Sequence, residues 1–168
     1  MVLDERLKKL TTGMSVREAA MAHAKSLEAG ASLSDDERTQ GGEFGAIIEL
    51  MFLMAAVDGE IAQDELDRLS ASVRSIVGDT LPLDDELARF SEALERDGWR
   101  SRMEAACSQV VSDEGKRMAF RLSAGVAFVD DHVAHAEAAA IEALTAALGL
   151  DGDETQVIMR EVMDELFG

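Results

Sequence analysis

The sequence predicts an all-α fold, and three observations carry that expectation. A single proline in 168 residues leaves nearly every segment free to be helical. Alanine, leucine, methionine and glutamate are abundant, tyrosine is absent, and apolar residues recur three and four apart along most of the chain. A unit of helix, acidic corner and helix occurs twice, Asp58 in the first copy aligning with Asp130 in the second. Nothing reads as a strand. The expected architecture is a compact bundle of about seven to eight helices, built on two pseudo-two-fold-related helix–acidic corner–helix units.

Each element follows from its own residues. Leu3, Leu7 and Leu10, then Val16, Ala19, Ala20, Ala24 and Leu27, stand at helical spacing and predict one or two amphipathic helices before residue 30. Gly13 and Ser15 mark the break between them, with Ser15 and Glu18 spaced as a capping box. Gly30–Gly42 is polar and glycine-bearing and reads as a loop, with at most a short helical turn after Ser34. This gives an N-terminal extension over 1–42 and a helical domain over 43–168.

Glu43–Val57 is apolar on nearly every side, Glu49 being the only charge between Ala46 and Val57, as suits the centre of a bundle. Ala62–Val77 turns Leu66, Leu69, Val73, Ile76 and Val77 inward, and Pro82 ends the following connection. Asp84 is the expected cap of a helix over Asp85–Glu95 with Leu87, Phe90 and Leu94 buried. After a turn at Asp97-Gly98, Trp99–Val111 places Trp99, Met103, Ala106, Cys107 and Val110 on one face, Trp99 as a packing anchor. Ser112-Asp-Glu-Gly caps a second central helix, Met118–Val129, where Arg121 is the only charge and aligns with Glu49. The two central helices are expected to pack with Glu49 and Arg121 paired. Ala134–Leu148, a stop at Gly149, and a last helix opened by Asp151 or Asp153 complete the chain.

The duplication is modest in identity but specific in place. Pairing Leu53–Leu69 with Gly125–Ile141 matches Ala55/Ala127, Val57/Val129, Asp58/Asp130, Ala62/Ala134 and Glu65/Glu137, so two acidic residues fall at the same joint in both copies. A carboxylate just past a helix C-terminus meets unpaired carbonyls and the negative end of the helix dipole, a repulsion of about 0.3–1 kcal/mol. A divalent cation ligated by carboxylates and carbonyls would offset it, and such oxygen ligands suit Ca²⁺, Mg²⁺ or Mn²⁺. The purely structural account is also open: Asp-Gly is an ordinary turn, and Glu65 and Glu137 can serve the next helix's first turn.

An EF-hand is excluded, because its first and third ligand positions would fall on Met54 and Ala56. The second corner is richer: Asp130, Asp131, His132, His135 and Glu137 lie within eight residues, and imidazole widens the choice toward Zn, Mn, Ni or Fe. His23 reads as a helix-surface residue.

Charge and pattern narrow the function. With 34 acidic and 16 basic residues the net charge is −18, which repels nucleic acid and anionic membranes and attracts cations or basic partners. The lone Cys107 forms no intramolecular disulfide, suits a reducing cytosol and reads as a core thiol. No signal-peptide apolar region opens the chain, and no apolar run approaches the ~20 residues that span a bilayer, so a cytoplasmic protein without a transmembrane segment is expected. Glu-x-x-His pairs, a P-loop, a Gly-x-Ser-x-Gly elbow and a Cys–His motif are all missing, so no enzyme is expected.

At its corners the chain resembles the TerB-like family, the helical domain of tellurite-resistance proteins that also occurs in a membrane-attached DnaJ-type co-chaperone. Met51–Glu65, Met118–Glu137 and the Ala-Leu-Gly-Leu-Asp run at 147–151 carry the resemblance, which spans roughly residues 43–165. It implies an all-α fold of two pseudo-symmetric units and an acidic surface that binds a divalent metal. It carries Asp58, Glu60 and Glu65 over as ligands, with Asp130 and Glu137 from the second copy. Asp131 and His132 depart from the family's usual residues there and join the expected set, and Ala62 and Ala134 replace its commoner Ser or Thr caps. The expectation is a stress-response module binding a divalent metal (Ca, Mg, Mn or Zn) and acting through protein partners. A metal-independent acidic adaptor docking basic partner proteins is the alternative.

Overall fold

In the computed structural model the described residues are 35–56, 63–77, 83–129 and 135–167. Every regular element among them is a helix: α1 (Asp35–Ala55), α2 (Gln63–Val77), α3 (Leu83–Asp97), α4 (Trp99–Ser108), α5 (Asp113–Val129), α6 (His135–Leu148) and α7 (Gly152–Phe167). None of the described helices is long and apolar enough to cross a membrane.

α1 is central because it is apolar all round. Ile47, Ile48, Leu50, Met51, Phe52 and Leu53 are six nearly consecutive positions and all are buried, which a helix achieves only with neighbours on every side. Those neighbours are α2, α3, α4 and α5, and the α1–α5 contact is the most extensive in the fold. α5 is the second central helix, burying Met118, Ala119, Phe120, Leu122 and Ala124 and packing also on α6 and α7. Phe52 of α1 meets Phe90 of α3 in a tilted ring pair with centroids 6.0 Å apart.

α1 starts earlier than the sequence suggests. Residues 35–42, read as loop, continue the helix through Gly41 and Gly42. Once the buried stretch from Glu43 onward has nucleated a helix, each added residue gains a hydrogen bond. A glycine lowers that gain by only about 1 kcal/mol. α3 likewise starts at Leu83, directly after Pro82, so Asp84 is not its cap but lies in a first turn with Asp85 and Glu86, where carboxylates favour the helix dipole.

The joints are built from identifiable atoms. Gly98 adopts φ 88° between α3 and α4, a left-handed conformation that favours glycine. α4 ends at Ser108 rather than running to Val111: the Gln109 and Val110 amides close a tighter turn onto the Ala106 and Cys107 carbonyls, and those of Val111 and Ser112 leave for a carboxylate on α1. Ser112 caps α5 as expected, its Oγ accepting from the Gly115 N–H at 3.0 Å. Gly149, at φ 69°, stops α6 in a Schellman arrangement: its N–H donates to the Ala146 carbonyl and that of Leu150 to the Thr145 carbonyl. Asp151 opens α7, accepting from the Asp153 N–H at 3.2 Å.

Cys107 is the core thiol its neighbours predicted, 3 % exposed and 3.8 Å from the Met103 sulfur. Burial pushes its pKa up to about 12. In the native protein it should therefore resist a thiol reagent at pH 8 and react at the ordinary rate after denaturation, which a colorimetric thiol assay measures. The linkage has a definite sign: above about pH 9 the unfolded thiol loses its proton while the folded one keeps it. Its contribution to stability is thus full below that pH and is lost as pH climbs toward about 12.

Candidate metal corners and the contacts that hold them

The two corners follow the C-terminal ends of the two central helices. α1 ends at Ala55 and α2 begins at Gln63; α5 ends at Val129 and α6 begins at His135. Gln63 and His135 are aligned by the same offset that pairs Asp58 with Asp130, so the helices after both corners start in one register. Glu65 and Glu137 are each the third residue of their helix, in its first turn, as the spacing predicted.

Asp58, Glu60, Asp130, Asp131 and His132 lie outside the described residues, as do the side chains of Glu65, His135 and Glu137. Among the described residues, no group of three or more His, Cys, Asp or Glu side chains is disposed to hold a metal ion.

What the structure does describe is how α1 is held just before the first corner. The last carbonyls of a helix lack intrahelical donors. Here the Leu53 carbonyl accepts the Trp99 indole N–H at 2.8 Å as well as the Ala56 N–H at 3.2 Å. One turn earlier, Glu49 is 4 % exposed and receives two parallel bonds from the Arg102 guanidinium, at 2.8 and 2.9 Å. Trp99 and Arg102, three apart on α4, thus grip Leu53 and Glu49, four apart on α1. Arg102 also reaches Asp97 at 3.4 Å, and Arg96 binds the same carboxylate at 3.0 and 3.1 Å. The two guanidiniums hold the Asp97 carboxyl below its usual range, Arg96 contributing most.

This corrects the expected Glu49–Arg121 pair. Arg121 instead turns to Glu161 of α7 at 2.9 Å, beside an Arg117–Glu154 bond of 2.7 Å between the same two helices. Although α1 and α5 do pack together, each charge is presented to a third helix. The sequence showed that two buried charges needed partners, but helix rotation decided which ones.

A second carboxylate arrangement gave no sequence signal. Glu43, 6 % exposed, accepts from the Val111 N–H at 2.9 Å, the Ser112 N–H at 2.8 Å and the Ser112 hydroxyl at 2.9 Å. A Cβ on Gly115 would come within 2.9 Å of the Glu43 carboxyl carbon and of Ser112 Oγ, so only glycine leaves room for this cradle at the start of α5. A cleft of about 480 Å³ opens between α1, α3 and α4, lined by Gly42, Gly45, Glu49, Glu86, Arg89 and Arg102 among others.

Residues 44–160, more than two-thirds of the chain, match the family described as tellurite resistance protein TerB. The chain belongs to the TerB family. The matched span runs from the start of the buried part of α1 into α7, and so includes both central helices and both corners. No curated protein and no solved structure matches the chain. Membership accounts for the all-α TerB architecture, while the residues before Phe44 lie outside the family match.

Proposed function

We propose that this TerB-family chain is a non-catalytic helical module that binds a divalent cation at its two acidic corners and acts in a stress response through protein partners, in the cytoplasm. The observation that carries the proposal is the repetition: Asp58 and Asp130 each follow a central helix, and Glu65 and Glu137 each occupy the third position of the helix that comes next. Asp58 and Asp130 would ligate the ion directly. Glu60, Glu65, Asp131, His132 and Glu137 would complete or orient the two ligand sets. Ca²⁺, Mg²⁺ and Mn²⁺ suit the carboxylates of the first corner, and the imidazole of His132 adds Zn²⁺ at the second. Direct chemistry on tellurite is disfavoured, since the single thiol is buried and the chain's charge of −18 repels an oxyanion.

The test is thermal unfolding of chelator-stripped protein titrated with each of the four ions, beside Asp58→Ala and Asp130→Ala. Binding to the native state alone should add about 2.7 kcal/mol at a hundred times the dissociation constant. That raises the midpoint by about 5–10 °C for a chain of this size. Each substitution should remove part of the shift. A midpoint indifferent to every ion, in variants that still fold, would favour the metal-independent adaptor suggested by 34 acidic against 16 basic residues.

A further inference from the structure

We propose that the segment before α1 folds back on the helix it leads into and covers the cleft between α1, α3 and α4. The proposal goes beyond the metal reading and does not rest on it. The cleft, about 480 Å³, is walled on α1 by Gly42, Gly45, Ala46 and Glu49, whose spacing of three and four puts them on one face of that helix. A Cβ on Gly42 would meet nothing within 4 Å, so this face stands open where it begins. Across from it α3 presents Phe90, half-buried, and Ala93, buried. The walls also hold three glutamates and three arginines, so they offer apolar surface and both signs of charge, as an amphipathic helix requires of its seat.

The occupant follows from where the chain leads. The 34 residues ahead of Asp35 lie outside the described ones and before the family match, which opens at Phe44. Their stretch from Val16 to Ala29 has the apolar spacing of a helix, and at 1.5 Å per residue it would be about 20 Å long. The same rise puts Glu49 about 20 Å along α1 from Asp35. A reversal over Gly30–Ser34, an ordinary length for a helix–helix connection, therefore lays this helix antiparallel along α1 with its first two turns over Gly42–Glu49. Ala19 and Ala20 would then face Gly45 and Ala46, small residues that let two helix axes approach.

Charge favours the same occupant. Residues 1–34 hold five basic and four acidic side chains, whereas residues 35–168 hold eleven and thirty. All five basic residues, Arg6, Lys8, Lys9, Arg17 and Lys25, fall in a stretch whose one acid is Glu18. That stretch is drawn to the acidic domain that follows it, and the short connection keeps its effective concentration at the cleft high. While docked, it closes the cleft to any other helix.

The experiment uses the full chain. Cys107 is buried, so in Gly42→Cys it is the introduced thiol that reacts with N-ethylmaleimide, a neutral reagent. At low salt it should react about 10-fold more slowly than in a Gly42→Cys chain also carrying Arg17→Glu and Lys25→Glu, the protection of a segment docked about nine-tenths of the time. Salt at about 1 M should abolish the difference. Ser101→Cys, exposed on α4 outside the cleft, should be indifferent to both changes. Mild oxidation of Ala24→Cys with Gly42→Cys should form a bridge within one molecule, located by mass spectrometry of the digested chain. A thiol at position 42 that reacts as fast with the basic residues as without them would overturn the proposal. So would protection without the bridge, or a bridge formed only between two molecules, which would make a second copy the occupant.

Discussion

Replacing Arg102 by alanine is expected to destabilise the protein by about 3–5 kcal/mol, because it leaves the Glu49 carboxylate buried without its cation. For a chain of this size that is a fall of roughly 6–20 °C in melting temperature. Glu49 is 4 % exposed and lies among apolar residues of α1, and both it and Arg102 line the cleft beside α3. Water entering that cleft moderates the penalty, so the lower end of the range is the expected value. The asymmetry of the pair gives a sharper check. Glu49→Leu combined with Arg102→Leu removes both charges, and replacing a buried pair by apolar groups is often neutral. The double variant should therefore melt well above Arg102→Ala. If both melt alike, lost packing of the arginine stem, rather than the stranded carboxylate, would be the cause.

The second large effect lies at the other end of α1. Glu43→Ala should cost about 3 kcal/mol, since a charged acceptor bonded to two backbone amides and a hydroxyl is worth about 1.5–3 kcal/mol per bond before water replaces some of it. Val111 is exposed and its amide can be rehydrated, which keeps the total near that of one or two bonds. Gly115→Ala should be destabilising too, because the added methyl group meets the Glu43 carboxyl and Ser112 Oγ.

In the Glu43→Ala background the sign should reverse. With the carboxylate gone, alanine at position 115 is favoured over glycine in a helix by about 1 kcal/mol. Chemical denaturation of the four proteins of this cycle measures the coupling directly. Additive effects would mean that Gly115 and Glu43 do not share the space the structure gives them.

Much of the fold is legible in the residues themselves. The apolar character of α1 and α5 on every side fixes them as central helices, and Gly98, Ser112, Gly149 and Asp151 each mark a joint through local backbone chemistry. Cys107 and Trp99 could be assigned to packing faces from spacing alone, and the structure buries the first and half-buries the second. The candidate corners were visible for a different reason: the sequence repeats them, so each copy serves as a control for the other.

Partner choice was not legible. Glu49 and Arg121 align in the repeat, with opposite charges and on helices that do pack together, yet Glu49 binds Arg102 and Arg121 binds Glu161. Glu43 looked like the first residue of a helix, and Ser112 like an ordinary cap. Their union across 69 residues depends on where α4 delivers the chain. The indole of Trp99 likewise found a carbonyl 46 residues away.

Periodicity, capping and repetition are local, and the sequence by itself determined the helices, their order, the two that lie at the centre and the family. Which polar atom satisfies a buried charge or a free helix end depends on the rotation and crossing of helices distant in sequence, so only the tertiary structure decided the Glu49–Arg102 pair, the Glu43 cradle and the Trp99 hold on α1.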